Sequence, residues 1–147
     1  MINMTSKELA LLIGAALCSA NALAKDRPDQ RLKTVTSVFV SGNNQAAEGA
    51  RQTLQNGKTC LTLATKAPEA DAVLDVNAES QSQGGQIGGL GGRAWIVSGT
   101  VTLKSGDLVW SHSERFSDAP LMSGGKTAGS LLVRHLADDA ACKSRGK

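Results

Sequence analysis

The sequence predicts an α+β fold: a single-layer, mostly antiparallel sheet with two helices packed on one face, in the order β-α-β-β-β-β-α. The first observation is the stretch Ala94–Phe116, where apolar residues alternate on both sides of Ser105-Gly106, the pattern of a half-buried β-hairpin. The second is a pair of segments with apolar residues at helical spacing, Gln45–Asn56 and Lys126–Cys142. Helices and antiparallel strands in one short chain are typical of an α+β domain.

The N-terminal residues 1–24 resemble an export signal. Lys7 precedes the short apolar run Ala10–Cys18, and Ala22-Leu23-Ala24 fits a signal-peptidase cleavage site. The run is shorter than the roughly 20 residues that a membrane-spanning helix needs. We therefore expect a cleaved signal peptide and a mature protein that is periplasmic or secreted.

Cys18 offers an alternative, because a cysteine at the end of an apolar run can carry a lipid anchor. Leu17 stands where a bacterial lipobox has a small residue, so the match is poor and a membrane tether is not expected. A lipidated chain would begin at Cys18, whereas a chain cut after Ala24 would be soluble.

The mature chain is predicted to begin with one strand and one helix. Polar residues 25–33 predict a flexible lead, and the β-branched run Thr34–Ser41 predicts the first strand. An Asn43-Asn44 pair is placed to cap the helix Gln45–Asn56, and Gly57 is placed to end it.

Two further strands, Thr59–Thr65 and Asp71–Glu79, lead into the low-complexity segment Ser80–Arg93. Six of the fourteen residues of this segment are glycine, so it cannot bury enough apolar surface to offset chain entropy, and we expect a mobile loop. Its candidate interaction residues are Ile87, Leu90 and Arg93.

The hairpin supplies strands four and five, and the symmetry of its turn predicts the cross-strand pairs that fix its register. The expected pairs are Leu103–Leu108, Val101–Trp110, Gly99–His112, Val97–Glu114 and Trp95–Phe116. A loop over Ser117–Gly125 then precedes the second helix, and residues 143–147 form a basic tail.

Signal removal would leave two cysteines, Cys60 and Cys142. An even pair in an oxidising compartment predicts a disulfide, here from the start of the second strand to the end of the last helix. Two free thiols or a metal pair are the alternatives, and no local Cys or His spacing is typical of a metal site.

Neither a motif-like segment nor the composition predicts binding of nucleotides or nucleic acids. Gly124–Thr127 resembles the end of a phosphate-binding loop, but Pro120 stands where that motif needs glycine. A net charge of +3 with scattered basic residues and 3% aromatic content is not typical of a nucleic-acid binder. We therefore expect no nucleotide, no nucleic acid and no cofactor.

The two histidines, His112 on strand five and His135 on the last helix, belong to no recognised catalytic motif. A histidine on an apolar face is usually structural, and the adjacent Asp138 and Asp139 diverge on a helix, so they cannot act as one acid–base pair. The sequence therefore predicts no catalytic, cofactor-binding or metal-ligating residues.

The runs Ala70–Val76 and Val97–Ser111, followed by the amphipathic C-terminal helix, resemble small bacterial envelope proteins. They are similar in pattern to the amino-terminal domain of the Tol–Pal protein TolB and to the periplasmic domain of the curli secretion channel. The turn Ser105–Trp110 matches the glycine–hydrophobic–tryptophan turn of such domains, and the similarity extends over Thr34–Cys142. The resemblance implies an α/β envelope domain and transfers no catalytic residue.

These observations favour an exported, non-enzymatic envelope protein that acts through contact with an envelope protein or with itself. An exposed sheet edge and the loop 80–93 are the expected surfaces. The alternative is a small-ligand-binding or enzymatic domain in which loop 80–93 covers a site near His112.

Overall fold

The computed structural model describes residues 28–82, 93–117 and 124–142. The signal segment, Cys18, Ile87, Leu90 and the tail 143–147 therefore lie outside the described residues. The helices and strands, in chain order, are β1 (Ser37–Ser41), α1 (Gln45–Gln55), β2 (Thr62–Leu63), β3 (Ala72–Ser82), β4 (Arg93–Leu103), β5 (Leu108–Ser117) and α2 (Gly124–Asp139).

The strands form one five-stranded sheet in the order β2-β1-β3-β4-β5. The predicted α+β class and element order are confirmed. The sheet is mixed, because β1 runs parallel to both β2 and β3, while β3, β4 and β5 are antiparallel neighbours. The helix α1 carries the chain from β1 to the parallel strand β2, and residues 64–71 carry it from β2 to β3, on the other side of β1.

Both helices pack on the same face of the sheet, α1 over β1 and β3 and α2 over β4 and β5. Alternation along each strand points one set of side chains toward the helices, where they form the core. The buried core includes Val38, Val40, Leu74, Val76, Val97 and Val101 from the sheet and Ala46, Ala50, Ala128, Leu132 and Leu136 from the helices.

The two helices approach each other closely through glycines. A Cβ atom added at Gly49 of α1 would overlap the backbone carbonyl of Lys126, and one added at Gly129 of α2 would overlap that of Ala46. Thr53 Oγ1 donates to Ser130 Oγ at 2.9 Å across the same contact. Small residues therefore fix the distance between the helices, and no side chain separates their backbones here.

The hairpin register agrees with the prediction over most of its length and differs near the turn. Val101–Trp110, Gly99–His112 and Trp95–Phe116 are paired as expected. Leu108 pairs with Thr102 and not with Leu103, because a bulge between Val101 and Thr102 shifts the register. The expected pairs are those of a regular ladder, and an extra residue in one strand breaks that ladder.

The start of the described chain also differs from the prediction. Residues Gln30–Thr34 form a 3₁₀ helix, and β1 begins at Ser37 instead of Thr34. Leu32 is completely buried in the core, which anchors part of the lead that was expected to be flexible. One apolar residue in a polar stretch is too weak a pattern to predict this.

The last helix and the Gly-rich segment also have different bounds. α2 begins at Gly124 and not at Lys126. Both Gly124 and Gly125 are buried, and Gly125 lies so close to Gln45 of α1 and Trp95 of β4 that an added Cβ atom would come within 2.8 Å of the Gln45 side chain. β3 continues to Ser82 and β4 begins at Arg93. Arg93 therefore lies at a strand end, and the remainder of the expected loop 80–93 is outside the described residues.

The disulfide prediction is confirmed. Cys60, just before β2, is bonded to Cys142, just after α2, with a Cα–Cα distance of 5.6 Å. The bond ties the end of α2 to the edge of the sheet that is farthest from β5. It therefore links the C-terminal end of α2 to the segment between α1 and β2.

Asp71 joins the starts of β1 and β3. Its Oδ2 accepts hydrogen bonds from Thr36 N at 3.0 Å, Thr36 Oγ1 at 2.7 Å and Ser37 N at 2.9 Å. These donors hold the pKa of the carboxyl well below its usual range, the side-chain bond from Thr36 being the largest cause. The charged form of Asp71 thus stabilises the parallel pairing of β1 with β3.

We expect Gly129→Val to destabilise the protein by about 2–3 kcal/mol, because the new side chain must push α2 away from α1. Urea unfolding followed by circular dichroism measures the change. Thr127→Val is the matched control, since Thr127 is exposed on the same helix. Equal stability of both variants would contradict the close approach.

We expect Asp71→Asn to cost about 1–2 kcal/mol at neutral pH through loss of charge-assisted hydrogen bonds. A lowered pKa contributes stability above the unfolded-state value near 3.9 and loses it as pH falls further. The difference in unfolding free energy between native protein and variant should therefore shrink below about pH 4. Glu79→Gln, on an exposed position of β3, is the control; a difference independent of pH would contradict the prediction.

Candidate functional site

The site lies where the C-terminal half of α2 crosses β5. Period-two alternation on β5 turns Trp110, His112 and Glu114 toward the helical layer. On α2, His135 and Asp139 are four residues apart and so share one face of the helix. The two sets of side chains meet at the edge of the sheet.

The two imidazoles converge on one carboxylate oxygen. Glu114 Oε2 lies 3.4 Å from His112 Nε2 and 3.3 Å from His135 Nε2. The rings of His112 and His135 are stacked, with centroids 4.8 Å apart and planes inclined by 26°. The three possible ligand atoms all lie within 4.8 Å of one another.

Trp110 forms the inner end of the cluster. Its ring stacks on that of His112, with centroids 5.8 Å apart and an angle of 16° between the planes. Its indole Nε1 donates to Asp139 Oδ2 at 2.8 Å, while the residue itself is 6% exposed. A buried indole N–H needs an acceptor, so this bond fixes Trp110 and joins β5 to the end of α2.

The outer part of the cluster is open to solvent. The exposed side-chain fractions are 30% for His112, 42% for Glu114 and 45% for His135. Gly99, paired with His112 on β4, leaves room into which Leu132 of α2 packs. The cluster therefore lies above closely packed residues, and its imidazole and carboxylate side chains are partly exposed to solvent.

A shallow hollow of about 300 Å³ adjoins the site at the start of β5. Its lining includes Asp29, Trp110 and Asp139. Arg31 forms ion pairs at 2.8 Å with both Asp29, which lines the hollow, and Asp107. Hydrogen bonds from Arg31 lower the pKa of Asp29, whereas the pKa of Asp107 is lowered first by the hydrogen bond from Ser105 Oγ and then by the charge of Arg31. The pairs attach the 3₁₀ helix to the hairpin turn.

The structure brings together residues that the sequence treated separately. The sequence predicts His112 and His135 to be separate structural histidines, and helical spacing places His135 on the apolar stripe of the last helix. In the structure His135 is exposed at the rim. Glu114 was not a predicted site residue. The i, i+2 spacing of His112 and Glu114 was a visible signal, but the contribution of α2 needed the register of the helix on the sheet.

The two cysteines predicted as site residues do not join this cluster. Cys60 and Cys142 form the disulfide. Arg93 opens β4, while Ile87 and Leu90 lie outside the described residues, so the proposed interaction loop and its role as a lid stay predictions.

Comparisons with known proteins give likenesses to solved structures. No protein family and no curated protein matches the chain. The PelC dodecamer from Paraburkholderia phytofirmans is 20% identical, with 71% of this chain and 86% of that chain covered and a TM-score of 0.49. A point variant of that PelC, also a dodecamer, is 19% identical over 76% and 88%, with a TM-score of 0.48.

A minor lipoprotein from Acinetobacter baumannii is 9% identical, with 74% of this chain and 94% of that chain covered and a TM-score of 0.42. These likenesses transfer no residue or role to this chain. The resemblance to TolB and to the curli channel stays a prediction.

Within the described residues, neither helix has the length and apolar character needed to span a membrane.

We expect Asp139→Ala to cost about 1–2 kcal/mol, because it leaves the buried indole N–H of Trp110 without its acceptor. Asp138→Ala is the matched control, since Asp138 is the exposed neighbour on the same helix. Urea unfolding gives the energies, and near-ultraviolet circular dichroism reports the loosened indole. Equal losses for both variants would contradict the role of Asp139.

Proposed function

We propose that this protein is exported and acts by protein–protein contact, without catalysis, through the free edge of β5. The observation that carries the proposal is the position of this strand. β5 is ten residues long, lies at one end of the sheet and pairs with β4 alone among the described strands. Its outward N–H and C=O groups are a template for an added strand.

The face of the sheet that carries no helix adds apolar surface next to this edge. Phe39, Val73, Thr102 and Leu108 form one row across four strands of that face. Leu108, at the β5 end of the row, is 59% exposed. A partner strand placed along β5 would cover Leu108 and so gain hydrophobic burial in addition to backbone hydrogen bonds.

A second copy of the chain is the partner that the sequence of β5 suits best. An antiparallel pair of β5 strands centred on Ser113 places Glu114 opposite the partner's His112 and Arg115 opposite the partner's Ser111. No like charges face each other in this register. The contact between Glu114 and the partner's His112 occurs twice, because the pair has two-fold symmetry. The edge is thus self-complementary.

Export is supported by the disulfide and by the signal-like N-terminus. A bond between Cys60 and Cys142 persists in an oxidising compartment such as the periplasm and is rare in the bacterial cytosol. The envelope is therefore the place in which we expect the contact to form.

We expect the double variant Ser111→Lys, Ser113→Lys to abolish association, because Ser113 faces its own symmetry mate and two lysines there would repel. Both serines are exposed, so the fold should be retained. Light scattering of the mature chain measures self-association, and crosslinking in the native envelope detects another protein partner.

Asn77→Lys is the control for this experiment, because Asn77 is exposed in the same cross-strand row but two strands inward from the edge. Association that survives Asn77→Lys but not the double variant supports the edge. Equal disruption by both would place the contact on the sheet face instead. A monomeric native chain without a specific crosslink would refute the proposal.

A further inference from the structure

We propose that His112, Glu114 and His135 form a binding site for a divalent transition-metal ion of the zinc class. The chain contains two histidines, and both meet at this one carboxylate. The sequence predicted no metal site because its local spacings are not those of a metal motif. The convergence arises only when α2 is folded over β5.

The distances suit tetrahedral coordination. Ligand atoms about 2.0–2.1 Å from a zinc ion lie about 3.4 Å from each other at the corners of a tetrahedron. Glu114 Oε2 is already 3.4 Å from His112 Nε2 and 3.3 Å from His135 Nε2. All three ligand atoms lie within 4.8 Å of one another. The two rings are stacked at 26°, so coordination of one ion requires the imidazoles to rotate until both ring nitrogens point toward it.

The ligand types select the class of ion. Neutral imidazole nitrogens bind zinc, copper and nickel well, and a carboxylate supplies a charge that partly neutralises the ion. Magnesium and calcium prefer six or more oxygen ligands. The site should therefore discriminate against these two ions by its chemistry and by its small number of ligands.

The surroundings hold the ligands in place. The ring of His112 stacks on that of Trp110, and Trp110 is fixed by its bond to Asp139. His135 is carried by a helix whose neighbouring residues Leu132 and Leu136 are buried in the core. Ligands carried by regular elements with packed supports are held more precisely than ligands on loops.

Coordination by three side chains leaves a fourth position, which faces solvent because the three side chains are 30–45% exposed. Zinc sites with three protein ligands keep that position for water or for a group of another molecule. All three ligands come from one chain, so a single chain can bind the ion, although His112 and Glu114 also face the partner strand in the β5 pairing proposed above.

Calorimetric titration of the mature, untagged chain with Zn²⁺ tests the site. The disulfide is kept oxidised, because free thiols would bind zinc themselves. We expect saturable binding of one ion per chain. His135→Gln and Glu114→Gln should each lower the affinity for zinc at least about tenfold, because loss of even an outer-sphere partner of a metal lowers the affinity by that factor. Mg²⁺ should not compete.

Glu48→Gln is the matched control, since it removes the same charge from an exposed carboxylate that pairs with Lys126, in the first turn of α2 and nine residues before His135. It should bind zinc as the native chain does. A thermal melt without zinc shows that each variant is folded.

Proton NMR of the native chain gives a readout that needs no variant. The two histidines give two sets of imidazole resonances, and both sets should shift together at one equivalent of zinc. Binding that leaves either set unmoved, binding that survives His135→Gln at full strength, or no saturable binding at all would overturn the proposal.

Discussion

The close approach of α1 and α2 is the constraint on which the other features depend. Gly49 and Gly129 let the two helix backbones touch, so both helices fit side by side on a narrow five-stranded sheet. A wider helix pair would carry α2 past β5 or lift it from the core. With the helices close, α2 lies over β4 and β5, and its last turns reach the sheet edge.

That placement joins the core to the candidate site. Leu132 and Leu136 enter the core from the same helix that carries His135 and Asp139 at the rim. The indole of Trp110 then links the two layers, packed against the core on one side and bonded to Asp139 on the other. The geometry of the histidine cluster is thus set by packing that has no chemical role of its own.

The elements that could be predicted from sequence are those with strong local periodicity. The hairpin from Ala94 to Phe116 alternates over many residues, and its register was correct except where the bulge near Thr102 adds a residue. The disulfide followed from cysteine parity and compartment. Leu32 was missed because a single buried residue in a polar stretch leaves no period to detect.

The strand order and the histidine cluster could not be predicted for a different reason. Both depend on contacts between segments distant in sequence: β1 parallel to β3, and His135 against Glu114. Spacing along the chain says which face a residue occupies on its own element. It does not say which other element covers that face, and the histidine cluster forms only because α2 covers β5.

Gly99 limits the substitutions that this sequence can accept during evolution. A Cβ atom there would come within 2.7 Å of Leu132 Cδ2 and force that buried side chain to shift, while Gly99 is also the cross-strand partner of His112. Every single-nucleotide change in a glycine codon that yields another amino acid adds at least a Cβ. Every substitution at this position therefore disturbs the packing of Leu132. Purifying selection on the core would thus preserve the spacing of the histidines, even in lineages in which the cluster had no function.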